Sequence, residues 1–283
     1  MTTAPVTDSL RVNGATLHYE VRGSGPLALL IPGGTGGAAA FDGVVDHVAA
    51  AHTVVTYDPR GMSRSALDDP EAEQHVTEHA DDALRLLDLL SPGAPAKVFG
   101  TSSGAIVALH LLVTRPERVE RVVAHEPPVV EVLPDAATHR AMLTRVRETF
   151  RAQGLMPAMA VFAAGLKKEG DSSGPESGLE LPPQAAARAE RTMGDLPYFV
   201  GRIVPSFMAY APDLHRLSSL SDRLVLARGR DSEGELPCRA TAFLAGRLGV
   251  PLQRFPGGHV GLTTHPVEYG EFLAASLRTS VRA

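Results

Sequence analysis

Short apolar runs alternate along this chain with longer segments whose apolar residues return every three to four positions. The runs Leu27–Ile31, Thr53–Tyr57, Ala96–Phe99, Val119–His125, Arg223–Ala227 and Leu252–Phe255 read as strands. Between them lie helical periods: Ala39–Ala50, His75–Leu90 with Ala83, Leu86, Leu87 and Leu90 on one face, Pro237–Leu248 and Val267–Leu277. Ahead of these, Ser9–Val12 and Thr16–Val21 flank Asn13-Gly14, the pair preferred in tight hairpin turns. Strands alternating with helices imply an α/β fold whose mostly parallel sheet, about eight strands here, is covered by helices on both faces.

From Pro127 to Leu217 the alternation stops and helical pattern takes over, broken by the Ser, Gly, Pro and acid-rich stretch Gly170–Gly178. This predicts a core of residues 1–127 and 217–283, with a helical cap inserted at 128–216 and weakest at that stretch. The insertion carries Met142, Phe150, Met156, Met159, Phe162, Tyr198, Phe199, Phe207 and Met208. A module of this length hides fewer large apolar groups by itself, so some of them are expected to face a site beneath, among them Met156, Phe162, Phe199 and Phe207. For any single one, ordinary helix packing competes with that role.

One pentapeptide carries the chemistry. Gly100-Thr101-Ser102-Ser103-Gly104 separates the strand Ala96–Phe99 from the helical run beginning at Ala105, which is the strand, sharp turn and helix of a nucleophile elbow. Glycine at both flanks suits a turn that strains the serine backbone and brings helix and strand close together. A serine hydroxyl is a poor nucleophile at neutral pH and needs a base to take its proton. His259 fits, because Gly257 and Gly258 let its loop fold over the sheet edge, whereas His47, His75 and His79 lie in polar helical stretches and read as solvated.

Composition narrows the picture. With 283 residues the chain can bury a sizeable core, and a net charge of −5 offers no basic face for nucleic acid. The N-terminus has no basic region followed by an apolar core, and no apolar run reaches a bilayer's length, so no membrane partner and a cytoplasmic location are expected. The lone Cys238 excludes an intrachain disulfide and has no base beside it to make it a nucleophile. The glycine run Gly33–Gly37 is followed by no lysine and lacks dinucleotide spacing, so no phosphate-bearing cofactor is expected, nor any metal.

The chain resembles the α/β-hydrolase fold family from about Leu10 to its end. Besides the elbow, the likeness rests on Ile31-Pro32-Gly33-Gly34-Thr35-Gly36-Gly37, similar to the family's oxyanion loop but with Pro32 where histidine is usual. It rests also on Tyr57-Asp58-Pro59-Arg60-Gly61-Met62-Ser63-Arg64-Ser65, similar to the Asp-x-Arg-Gly-x-Gly-x-Ser signature with Ser63 replacing a glycine, and on Phe255-Pro256-Gly257-Gly258-His259. The resemblance implies oxyanion donors on Gly34 and Ser103, a substrate contact at Thr35, and a structural role for Asp58 and Arg60 in pinning the oxyanion loop.

The acid that orients His259 is open between two positions. Asp231 lies in the loop after Arg223–Ala227 where most of the family keeps its acid, but the usual offset from the glycine falls on Ser232. Glu126 ends the strand Val119–His125, where a minority of the family carries the acid. A carboxylate at the end of a buried strand must find a partner, which favours Glu126. The expected activity is cleavage of an ester, thioester or lactone of a small, mostly apolar substrate through an acyl-enzyme on Ser102. Perhydrolase or lyase chemistry, hydrolysis of a carbon–carbon bond, and a non-catalytic receptor on the same fold are the alternatives. Epoxide hydrolysis and dehalogenation are disfavoured, since those relatives attack with a carboxylate. The sequence allows a homodimer as well as a monomer.

Overall fold

The computed structural model describes residues 4–167 and 192–278; the stretch Gly170–Gly178 lies outside the described residues. Its sheet begins with the hairpin β1 (Val6–Val12) and β2 (Ala15–Gly23), turned at Asn13-Gly14 with Gly14 at φ 75°. Strand β2 pairs antiparallel with β4 (Thr53–Tyr57), and from there every neighbour is parallel: β3 (Leu27–Ile31), β6 (Ala96–Thr101), β7 (Val119–His125), β8 (Leu224–Gly229) and β9 (Leu252–Phe255). The order is β1-β2-β4-β3-β6-β7-β8-β9. A ninth strand, β5 (Ala66–Leu67), pairs with β2; two residues are too few to show a strand period, so the expected count of eight falls one short.

Side-chain alternation sorts the strands' apolar residues onto two faces. Leu29, Ile31, Val98, Val122 and Leu226 point into one cluster beneath α2 (Val76–Leu90) and α3 (Ser103–Thr114). Ala28, Leu30, Phe99, Val123 and Val225 point into the other, closed by α1 (Val45–Ala49) and α11 (Pro266–Arg278). The helix expected over Ala39–Ala50 is broken: a short turn of helix at Ala38–Phe41 is followed by α1. Gly43 lies at the break, where a Cβ would stand 2.7 Å from Pro266, so packing of the final helix overrides the helical pattern.

Between β7 and β8 stand α4 (Ala136–Gln153), α5 (Leu155–Leu166), a helical stretch α6 over 192–198 that continues as a π-turn through Phe199–Ile203, α7 (Val204–Phe207) and α8 (Leu214–Ser219). Their apolar residues, including Leu143, Val146, Ala158, Val200 and Met208, form a third cluster with Leu236 and Ala240 of α9 (Leu236–Leu248). These helices therefore share a core with α9, the helix that follows β8. Val130 N–H donates to Met208 O at 3.1 Å, tying the entry of the insertion to its exit. One short helix, α10 (Gly261–Thr264), lies between β9 and α11.

Candidate active site

The turn from β6 into α3 is as tight as its glycines suggest. Ser102 has φ 52° and ψ −123°, and a Cβ on Gly100 would lie 2.4 Å from Gly104 O, while one on Gly104 would lie 2.4 Å from Ile31 O. No side chain fits at either flank. The strain at Ser102 is sustained by the strand pairing around it, its N–H donating to His125 O at 2.9 Å.

Three side chains from separate parts of the sequence meet above this turn. His259, on the loop between β9 and α10, brings Nε2 within 3.2 Å of Ser102 Oγ and Nδ1 within 2.6 Å of Glu126 Oε2. Glu126 follows β7 and is fully buried. Its backbone takes φ 48°, a left-handed conformation rare outside glycine, while its N–H donates to Ala227 O at 2.9 Å; this turn directs the carboxylate across the end of β8. There Oε1 accepts from Gly229 N–H at 2.9 Å and from the Ser232 hydroxyl. Burial alone would raise the Glu126 pKa, but the hydrogen bonds from His259 and Ser232 and the nearby imidazoles outweigh it and hold the group down at about 2.

Asp231 does not join this line. It is exposed, its N–H donates to Gly257 O at 3.1 Å, and the neighbouring Ser232 is the residue that reaches inward. Position 232 is where the family likeness puts the acid of most relatives, and a second carboxylate there would face Glu126 at hydrogen-bond range. A hydroxyl at 232 instead supplies the proton that Glu126 Oε1 accepts. Sequence reasoning passed over Ser232 as a partner because its role appears only once Glu126 is seen to turn toward it.

The glycine loop after β3 abuts the elbow. A Cβ on Gly33 would lie 2.2 Å from Thr101 O, and Gly34 adopts φ 60°, with its N–H donating to Ser103 Oγ at 3.1 Å. Ser103 begins α3, so its own N–H is among the first-turn donors that have no partner within the helix. Asp58 secures the loop from behind by accepting Ala38 N–H at 2.8 Å and binding Arg64 Nε at 2.7 Å. Arg60 has a different task from the one expected: it grips Asp82 of α2 through Nε at 2.7 Å and Nη2 at 2.6 Å.

Over Ser102 and His259 lies a cavity of about 470 Å³. Thr35, Phe162, Phe199 and Phe207 line it, joined by Ile203, Val204 and Met208. Met156 does not: in the first turn of α5 it is 70% exposed and turned to solvent. Ser63 lines the cavity rim at φ 51°, which explains why a glycine is usual there. Its N–H and hydroxyl both bond the carboxylate of Asp195 on α6, at 3.0 and 2.9 Å, and Tyr198 Oη donates to Arg60 O at 3.0 Å. These ties between distant segments left no mark in the sequence pattern. His79, expected to be solvated, is buried on α2 with its ring edge-on to Phe207, and burial, reinforced by the charge of Arg60, lowers its pKa to about 3. Its helix position faces the sheet despite its polarity, its Nε2 being satisfied by Gln74 Oε1 at 3.2 Å. His125, fully buried behind His259, is likewise held down, at about 4.

A mostly parallel sheet with the elbow at its centre, a glycine loop after β3 and a histidine loop after β9 define the class. The chain belongs to the α/β-hydrolase fold family, whose model matches residues 26–201, and it is a hydrolase of that family. It is 36% identical over 272 residues to the uncharacterized hydrolase YraK of Bacillus subtilis (strain 168), covering 94% of this chain and 93% of that protein. A zearalenone hydrolase of Cladophialophora bantiana is 28% identical over 276 residues, covering 95% of each, and one of Bionectria ochroleuca is 40% identical over 119 residues, covering 41% of this chain and 45% of its own. Among solved structures, a thermophilic esterase from Thermogutta terrifontis superimposes with a TM-score of 0.75 at 17% identity, covering 98% of both chains. The enol-lactonase from Burkholderia xenovorans LB400 does so at 0.73 and 18%, covering 96% of this chain and all of that one. These two likenesses bear on the fold. Among the described residues, no helix is long and apolar enough to cross a membrane.

Proposed function

We propose that this hydrolase cleaves an ester, thioester or lactone of a small, mostly apolar substrate through an acyl-enzyme on Ser102. The observation that carries the reading is the unbroken hydrogen-bonded line from Ser102 through His259 to Glu126 at the floor of an apolar cavity. Ser102 Oγ attacks the carbonyl carbon as His259 Nε2 takes its proton, and the carbonyl oxygen becomes an oxyanion facing the N–H groups of Gly34 and Ser103. The imidazolium then returns the proton to the departing oxygen or sulfur as its bond to the carbonyl carbon breaks. Water, deprotonated in turn by His259, attacks the acyl-enzyme, and His259 returns that proton to Ser102 Oγ as the Oγ–acyl bond breaks and the acid leaves. Glu126, ionised and anchored by Gly229 and Ser232, keeps the Nδ1 proton in place and balances the imidazolium charge.

The inserted helices α4 to α7 act as the cap that excludes water and shapes the apolar side of the cavity. In a lactone both products of ring opening stay on one molecule, and the two zearalenone hydrolases among the relatives favour testing zearalenone first, beside p-nitrophenyl esters of graded chain length. Ser102→Ala is expected to abolish turnover while leaving the melting temperature nearly unchanged, and a fluorophosphonate is expected to add mass to the peptide carrying Ser102. Label on another residue, or more than a few per cent of activity in Ser102→Ala, would remove Ser102 from this role.

A further inference from the structure

We infer that the hydroxyl of Ser103 is a third donor of the oxyanion site, working beside the two backbone N–H groups; the inference rests on the acyl-enzyme reading above. Gly34 N–H donates to Ser103 Oγ at 3.1 Å, and both residues line the cavity next to Ser102. A hydroxyl that accepts one hydrogen bond keeps its own proton to give. Among the described residues, the Ser103 hydroxyl donates that proton to no protein acceptor; its single bond is the one it receives from Gly34.

The three donors are close together by construction. Oγ lies three covalent bonds from the backbone nitrogen of its own residue, so the two stay roughly 3–4 Å apart in any staggered rotamer. Gly34 N stands 3.1 Å from the same Oγ. One oxygen on the cavity side of this triangle has room to stand at ordinary hydrogen-bond length from Gly34 N, Ser103 N and Ser103 Oγ together, provided that Gly34 N–H turns from Oγ toward it.

The surroundings hold the arrangement in place. The oxyanion loop is fixed by Ala38 N–H on Asp58 at 2.8 Å and by Gly36 N–H on Gly33 O at 3.0 Å, and Gly33 is wedged against the elbow. Arg64, a cation on the cavity wall, is engaged by Asp58 and Glu20, at 2.7 and 3.0 Å. Charge developing on the substrate oxygen is thus met by neutral dipoles. In the resting enzyme the hydroxyl gives Gly34 N–H an acceptor and keeps it aimed. As the oxyanion forms, that N–H shifts to the oxyanion and the hydroxyl proton follows. The bond grows with the charge, so its effect falls on kcat rather than on KM.

The experiment compares wild type, Ser103→Ala and Ser103→Thr on one p-nitrophenyl ester, and measures inhibition by an alkyl boronic acid as a tetrahedral analogue. Ser103→Ala is expected to lower kcat about 100-fold, with KM within about threefold and boronate affinity falling in step with kcat; Ser103→Thr, which keeps a hydroxyl, is expected to recover most of the loss. A kcat for Ser103→Ala within twofold of wild type, or above it, would overturn the inference, the latter showing the hydroxyl to be only a plug. A fall carried by KM, or a Thr variant as impaired as Ala, would overturn it too. Fluorophosphonate labelling keeps the two readings apart: label on Ser102 together with a fully active Ser103→Ala defeats only this inference, whereas absence of label from Ser102 defeats the proposed function.

Discussion

Replacing Glu126 by Gln changes one atom's chemistry and almost no volume, in a fully buried group that makes three hydrogen bonds. Oε1 accepts from Gly229 N–H and Ser232 Oγ–H while Oε2 faces His259 Nδ1, so an amide must present its NH2 to a donor on one side or the other. With its oxygen left toward Gly229, the amide faces Nδ1 and drives the imidazole into the tautomer protonated on Nε2, which cannot take the Ser102 proton. Two losses combine. The carboxylate sits at about 2 instead of 4.5 despite burial, which corresponds to roughly 3 kcal/mol of net stabilisation of its charge and some 10²-fold in rate if the imidazolium loses the equivalent. The tautomer error brings the total to about 10⁴-fold in kcat, the scale known for carboxylate-to-amide changes in such triads. The assay is steady-state hydrolysis of a p-nitrophenyl ester by Glu126→Gln and Asp231→Asn, with circular dichroism and melting curves to show that each variant folds. Asp231→Asn is expected within about threefold of wild type. A Glu126→Gln enzyme within tenfold of wild type, or an Asp231→Asn enzyme crippled at unchanged stability, would refute the reasoning.

Two further outcomes follow from contacts away from the nucleophile. His79 and His125 are held neutral by burial, at about 3 and about 4 against 6.5 when unfolded; below pH 6.5 the unfolded chain binds protons that the native state refuses, so stability is fully present above pH 6.5 and falls toward pH 4. From pH 6.5 to 5 each should cost about 1.6 kcal/mol, read as a shift in the urea midpoint, with a shallower slope in His79→Gln; a midpoint flat over that range in wild type would contradict it. Asp195→Ala removes the acceptor of the Ser63 N–H and hydroxyl at the cavity rim, so a loss of about 1–2 kcal/mol and a rise in KM at near-constant kcat are expected. Calorimetry and kinetics that both match wild type would show that this contact does not hold α6 over the site.

Much of the molecule was legible in the chain because local physics writes it there. Strands buried on both faces require continuous apolar runs, and β3, β4 and β7 lie where those runs begin and end. The elbow is equally local: Gly100 and Gly104 are demanded by backbone contacts within a few residues and with the adjoining strand, so the pentapeptide announced its own geometry. His259 announced itself through the glycines before it. What the sequence left open was decided by contacts between segments more than a hundred residues apart. Glu126 and Asp231 are both acids at strand ends, and only the left-handed turn at Glu126, together with Gly229 and Ser232 waiting across β8, set one inward and left the other in solvent. The same holds for Met156 against Phe162: both sit on the apolar helix α5, and its docking on the third cluster turned one toward water and the other into the cavity. Periodicity records that a residue is apolar or charged and on which face of its own element it lies; which neighbour that face meets is a property of the packed chain, where burial and hydrogen-bond satisfaction are settled for all segments together.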